Sequence, residues 1–225
     1  MAEVLAQGLS VRGLACARNG RVIFRALSFD AAPRDVVQVH GANGSGKSSL
    51  LRLLCGLLSP SQGEVNWHGQ RVDSSAAAWA GEVSYMGHAG GMSGELSVAE
   101  NLRFAARLAG RSEVPTRSQE VLQRLGLLAL QDVPVRRLSQ GQQRRLALAR
   151  VLLAGRTLWL LDEPCAGLDA QGEQVVSECI AEHARAGGIA IVTTHHDLGE
   201  DTPCAHSLDM DQLANAGNLD PDHQP

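Results

Sequence analysis

The run Val36-Val37-Gln38-Val39 leads within two residues into Gly41-Ala42-Asn43-Gly44-Ser45-Gly46-Lys47-Ser48, and leucines at 50, 51, 53, 54, 57 and 58 follow. No other feature of the 225-residue chain restricts its fold as strongly. The valine-rich run reads as a buried strand, and the leucine spacing reads as a helix that Ser59-Pro60-Ser61 ends. Between them, glycines let successive backbone N–H groups turn inward around a phosphate, and the helix start adds partial positive charge. This is the phosphate-loop pattern G-x-x-x-x-G-K-[ST] in the setting it requires, strand before and helix after. Lys47 is placed to reach β- and γ-phosphates, and the Ser48 hydroxyl to help hold Mg²⁺. The expected nucleotide contacts are Gly41, Ala42, Asn43, Gly44, Ser45, Gly46, Lys47, Ser48 and Ser49. Composition singles out the same place. Of 20 lysines and arginines, Lys47 is the one lysine, and it stands where a compact ammonium suits the chemistry better than a planar guanidinium.

Two further segments complete the pattern. Leu158-Trp159-Leu160-Leu161 is an apolar strand ending in Asp162-Glu163. Asp162 can bind Mg²⁺ directly or through water, and Glu163 is placed to polarise an attacking water as a general base. Leu138-Ser139-Gln140-Gly141-Gln142 opens the helix Gln143-Arg144-Arg145-Leu146-Ala147-Leu148-Ala149-Arg150. Ser139 and the Gly141 backbone, with Gln142, offer a second phosphate-binding surface at a helix start.

Around these segments, residues 4–15 and 21–29 read as two strands about the turn Arg18-Asn19-Gly20, and Val83 to Met86 as another. Ser97-Val98-Ala99-Glu100 is a capping box opening a helix to about Leu108, and helices are expected over 116–125, 138–154 and 170–186. A strand over 189–193 and a polar tail from Asp211 close the chain. Strands on either side of a helix-rich middle predict an α/β fold, a parallel sheet with an inserted helical subdomain.

Composition excludes several classes. At 44% hydrophobic and 20% charged the chain is too apolar to be disordered. Five scattered cysteines with no C-x-x-C pair fit no disulfide scaffold and suit a reducing compartment. A net charge of −4 argues against a nucleic-acid binder, and the arginines at 136, 137, 144, 145 and 150 read as structural. The most apolar stretch, Leu50 to Leu58, is interrupted by Arg52 and falls short of the roughly 20 residues that a membrane span needs. If the protein serves a membrane, a partner supplies the membrane part.

These motifs, in this order from about Leu5 to His206, resemble the ATP-binding subunit of ATP-binding-cassette (ABC) transporters. The resemblance implies a P-loop NTPase core, a small antiparallel β subdomain, and one ATPase domain over 1–210 with the helical subdomain inserted at about 89–155, the tail being 211–225. ATP and Mg²⁺ are the implied ligands. In that family Ser139 to Gln142 would bind the γ-phosphate of ATP held by a second copy, so two ATPs lie sandwiched in a head-to-tail dimer. Leu168-Asp169 resembles the loop that crosses to the partner's site, and His195, after Val192-Thr193-Thr194, the histidine that contacts the γ-phosphate. Two positions depart from the family. His88, in Tyr85-Met86-Gly87-His88, stands where a glutamine usually reaches Mg²⁺ and the attacking water. An imidazole nitrogen can accept in its place, or His88 is a loop histidine without a catalytic part. Arg18 stands where an aromatic residue usually stacks on adenine; it stacks by its guanidinium plane or is a turn residue.

Asn43-Gly44-Ser45-Gly46-Lys47-Ser48-Ser49, Gly87-His88-Ala89-Gly90-Gly91, Glu100-Asn101-Leu102-Arg103-Phe104 and Thr157-Leu158-Trp159 further resemble the CcmA group of that family, ATP-binding subunits of cytochrome c maturation. That resemblance implies a peripheral subunit on the cytoplasmic face of the bacterial inner membrane. It would work with the membrane subunit CcmB, with CcmC and CcmD, and indirectly with the haem chaperone CcmE, powering haem export or release of loaded CcmE. No Cys-x-x-Cys-His motif occurs, so haem contact is expected of partners and not of this chain. A soluble cassette ATPase of Fe–S cluster assembly and the ATPase of a different ABC transporter are the alternatives. The insert is too short for the coiled-coil or zinc element of the DNA-repair cassettes. Lys47, Asp162, Glu163 and His195 together argue against a regulator without turnover.

Overall fold

Two sheets organise the computed structural model, which describes residues 8–18, 20–73, 76–88, 91–110, 115–194, 198, 202 and 204–212. The first is antiparallel, in the order β2-β1-β4-β5, built from β1 (Leu9–Arg18), β2 (Arg21–Ala31), β4 (Gln62–Trp67) and β5 (Gln70–Arg71). β1 and β2 form the expected hairpin, in register from Leu9 opposite Ala31 to Arg18 opposite Arg21. The alternation Leu9, Val11 buries one face of β1, then shifts at Gly13 so that Leu14 and Cys16 stay buried. Gly63 of β4 approaches that bulge so closely that a Cβ there would lie 2.4 Å from the Gly13 carbonyl oxygen.

The second sheet is parallel, in the order β6-β7-β8-β3-β9: β6 (Val83–Met86), β7 (Leu158–Asp162), β8 (Ile189–Thr193), β3 (Val36–His40) and β9 (Cys204–Asp209). β7 and β8 are buried at every position, as strands covered on both faces must be. Their alternation divides them between two cores. Leu158, Leu160, Ile189 and Ile191 pack with α1 (Lys47–Leu54) and the antiparallel sheet. Trp159, Leu161, Ala190 and Val192 pack on the other face with the helices. Those helices are α3 (Val98–Leu108), α4 (Pro115–Arg124), α5 (Gln140–Ala154) and α6 (Ala170–Arg185). A short α2 (Ala77–Glu82) precedes β6.

The helix opening at Ser97 carries the expected capping box with Glu100, and a second box, which the sequence reading did not name, joins Ser139 and Gln142. α5 therefore begins at Gln140, with Ser139 as its cap. α1 is shorter than its leucine spacing predicts. It ends at Leu54, and Gly56, at φ 82°, turns the chain away and leaves Leu57 64% exposed. β4, β5, α2 and β9 have no counterpart in the sequence reading. β9 is polar in sequence and becomes a strand by pairing along β3, from Val37 opposite His206 to His40 opposite Asp209. Of the tail, Asp211 and Gln212 are described, in a helical turn.

Candidate nucleotide-binding site

The register of the parallel sheet assembles the site. Thr193 at the end of β8 lies between Asp162 on β7 and Val39 on β3, so the end of β7 and the phosphate loop leave the same edge, the carboxyl end. The loop turns through Gly41 at φ 141°, Gly44 at φ 89° and Gly46 at φ 105°. Gly46 caps α1 without a side-chain hydrogen bond. A Cβ there would lie 2.6 Å from Ile23 Cγ2 and 3.1 Å from Phe24 Cδ1, so β2 is pressed against the start of the helix.

Lys47 is 6% exposed, and its Nζ donates to the carbonyls of Gly41 at 2.6 Å and Ala42 at 3.1 Å. Those two bonds hold the ammonium over the loop and use two of its three donors. Ser45 Oγ is buried within the loop with no partner among the described residues.

Asp162 is 2% exposed. Its Oδ1 accepts from Ser48 Oγ at 3.1 Å and from Thr193 Oγ1 at 2.9 Å, while its Oδ2 is buried without a partner among the described residues. Such an orphaned oxygen is costly unless something meets it. A hydroxyl and a carboxylate are the hard oxygen donors that Mg²⁺ takes beside substrate phosphates, so these residues fit that ion. Glu163 follows with a left-handed backbone at φ 51°, rare for a residue with a side chain. Its N–H donates to Thr193 Oγ1 at 2.8 Å and Thr193 O at 3.1 Å. Its carbonyl accepts from Arg144 Nε at 3.0 Å. Beside it, burial pushes the Cys165 thiol up to about 11, so this thiol is protonated at neutral pH.

Lys47, Ser48, Asp162 and Glu163 thus share one edge of the sheet. Ser139, Gly141 and Gln142 do not join them: Ser139 and Gln142 bond each other, and Gly141 packs against the carbonyl of Gly167. Gly167 precedes Leu168-Asp169, and Asp169 caps α6 by accepting from the Gly172 N–H at 2.8 Å. His88 is exposed after β6, and its carbonyl accepts from Arg144 Nη1 at 3.3 Å. Arg18 is exposed at the hairpin end of β1. His195 lies outside the described residues.

Three residues at the site carry no motif signal. Thr193 bridges Asp162 and Glu163. Asp211 Oδ2 accepts from the Ala42 N–H at 2.9 Å, and the neighbouring Met210 is fully buried, 3.1 Å from where a Gly41 Cβ would stand. Arg144, read from sequence as one of a structural basic cluster, is 7% exposed with its guanidinium against the ends of β6 and β7.

The family model described as ABC transporter matches residues 24–166. The cytochrome c biogenesis ATP-binding export protein CcmA of Cupriavidus necator is 47% identical over 203 residues, covering 90% of this chain and 88% of its own. The protein of the same name from Bordetella bronchiseptica is 43% identical over 215 residues, 96% of this chain and 95% of its own. Among solved structures, a putative ABC transporter ATP-binding protein from Pyrococcus furiosus superposes with a TM-score of 0.80 at 24% identity, covering 92% of this chain and 99% of that one. A dimeric ATP-binding cassette bound to ADP and phosphate superposes at 0.75 with 20% identity, over 84% of this chain and 88% of that one. The structural likenesses fix the fold. The shared residues go further: this chain belongs to the ABC transporter family of ATP-binding subunits, in its CcmA group.

Proposed function

We propose that this chain is the ATP-hydrolysing subunit of a membrane ABC complex for cytochrome c maturation, driving haem export or release of haem-loaded CcmE. The observation that carries its chemistry is the buried Asp162 carboxylate, joined to the phosphate loop through Ser48 and keeping one oxygen unpartnered. The relatives' shared name supports the process it serves.

In this reading the loop from Gly41 to Ser49 wraps the triphosphate and Lys47 neutralises its β- and γ-oxygens. Ser48 and Asp162 are the residues that would hold Mg²⁺, which would neutralise charge on the phosphate oxygens. Glu163 takes a proton from the water that attacks the γ-phosphorus, and ADP leaves. His88 and His195 orient the water and the γ-phosphate, and Arg18 stacks on adenine. Ser139, Gly141 and Gln142 meet the γ-phosphate of a second copy in a head-to-tail dimer. The ATPase domain spans 1–210 with its helical insert at about 89–155.

The membrane subunit is CcmB, acting with CcmC and CcmD, at the cytoplasmic face of the inner membrane. Among the described residues no helix is long and apolar enough to cross a membrane. A groove of about 660 Å³ between β6, α3 and α5 suits a short helix of that partner. Ala80, Ala105 and Leu108 line it, Leu108 is 71% exposed, and the buried Ser84 hydroxyl there lacks a partner among the described residues.

The test begins with the complex solubilised from membranes. CcmB should co-purify, and cytochrome c should be lost with Lys47→Ala. Glu163→Gln should bind ATP, stop hydrolysis and accumulate a dimer. Unchanged hydrolysis by Glu163→Gln rejects the base assignment; co-purification with a soluble Fe–S scaffold rejects the cytochrome c assignment.

A further inference from the structure

Arg144 is the one buried arginine among the described residues, and it stands where three segments meet. From α5 its Nε donates to the Glu163 carbonyl at 3.0 Å, and Nη1 donates to the carbonyls of Gly87 at 3.2 Å and His88 at 3.3 Å. Nη2 donates to the carbonyls of Asp162 and Glu163. All three nitrogens are used, and they divide between two chain segments that the sheet does not itself tie together at this point. Glu163 is thereby gripped on both sides of its left-handed backbone, by Thr193 at its N–H and by Arg144 at its carbonyl.

We propose that Arg144 is a positioning residue for hydrolysis: its guanidinium fastens the backbone of Glu163 to the Gly87–His88 loop, so both take one fixed relation and follow any movement of α5. This deepens the reading of Glu163 as the base and rests on it. A planar fork is required, because a Lys at 144 offers donors around one nitrogen and cannot span carbonyls on two segments. Burial costs the cation its hydration and pushes its pKa down, with the Asp162 and Glu163 charges opposing that fall. α5 is also the helix that Ser139 caps, so engagement of its start by a second copy's nucleotide would reach Glu163 and His88 through this one side chain.

The experiment uses the full chain in its co-purified complex, with Arg144→Lys and Arg144→Gln each made alone and combined with His88→Ala. ATP turnover and amide hydrogen exchange are read together. For Arg144→Lys, kcat should fall about 10- to 100-fold while KM for ATP stays within about twofold, because geometry is lost and binding is kept. Exchange should quicken at 84–88 and 162–166 and not across the phosphate loop. His88→Ala leaves the backbone carbonyl that Arg144 meets, so in that background the further fall should shrink only by the share that positioning the His88 side chain contributes, the Glu163 share remaining. Unchanged kcat, equal factors in both backgrounds, or exchange that rises across the whole chain would each overturn the proposal. If Arg144→Gln fails to fold, the lysine variant decides. Should Glu163→Gln still hydrolyse ATP, the base assignment fails separately, and the exchange pattern still reports whether Arg144 joins the two segments.

Discussion

Thr193→Val tests the site where its geometry is least replaceable. Thr193 is fully buried, and its hydroxyl donates to Asp162 Oδ1 at 2.9 Å and accepts from the Glu163 N–H at 2.8 Å. Valine keeps the shape and removes both bonds, and no water can reach the place to substitute. A hydroxyl bond to a carboxylate contributes about 1.5–3 kcal/mol and an ordinary one about 1 kcal/mol. Each orphaned group keeps one partner: Ser48 Oγ at 3.1 Å for Asp162, and the Thr193 carbonyl at 3.1 Å for Glu163. That places the loss near the low end of the sum, about 2–3 kcal/mol, or about 4–12 °C in Tm for a chain of this size. Thr193→Ser keeps the hydroxyl and loses one methyl, costing about 1 kcal/mol. Urea titration of both variants gives the stabilities, and ATP turnover against Mg²⁺ concentration gives the functional effect. Valine should be the less stable and should need more Mg²⁺ for half-maximal turnover. If serine proves the more damaging, packing and not the hydroxyl holds this corner, and the account of Asp162 and Glu163 is wrong.

Gly46→Ala should abolish ATP binding measured by calorimetry, because φ 105° strains any side chain and its Cβ meets Ile23 Cγ2 at 2.6 Å. Gly44→Ala, at φ 89° but with nothing within 4 Å, should be milder; the reverse order would refute the close approach of β2. Asp211→Ala should speed amide exchange at Ala42 about fivefold through loss of one bond of about 1 kcal/mol, and an unchanged rate would show that the C-terminal turn does not brace the loop. His183 stacks on Trp159 with ring centroids 3.8 Å apart, and burial holds its pKa below 6.5. A folded-state pKa lowered in this way means the unfolded chain binds the extra proton first. Stability should therefore be full above pH 6.5 and decline as pH falls through the folded value, by at most about 1.4 kcal/mol per pH unit from this group. His183→Gln should flatten that decline in urea titrations at pH 5–8.

The phosphate loop, the acidic strand end and the Ser97 capping box could be read directly because their chemistry is local. Gly41 to Ser48 must be contiguous to wrap a phosphate, Asp162-Glu163 must end an apolar strand to sit at a sheet edge, and a cap must lie three residues from its partner. The continuous apolar runs of β7 and β8 likewise announced strands buried on both faces. Other features depend on partners far along the chain. β9 is polar by composition and is a strand because β3 offers it a free edge. Leucines 57 and 58 continue a helical spacing that the backbone abandons at Gly56. Thr193, Arg144 and Asp211 look like a strand residue, a surface arginine and a tail carboxylate. Each acquires its place from a contact between residues 31, 18 or 19, and 169 positions apart. A sequence fixes which groups can bind a phosphate, since that requires neighbours in the chain. Which groups hold the binders in position is decided by burial, where a polar atom cut off from water must take whatever partner the fold brings to it.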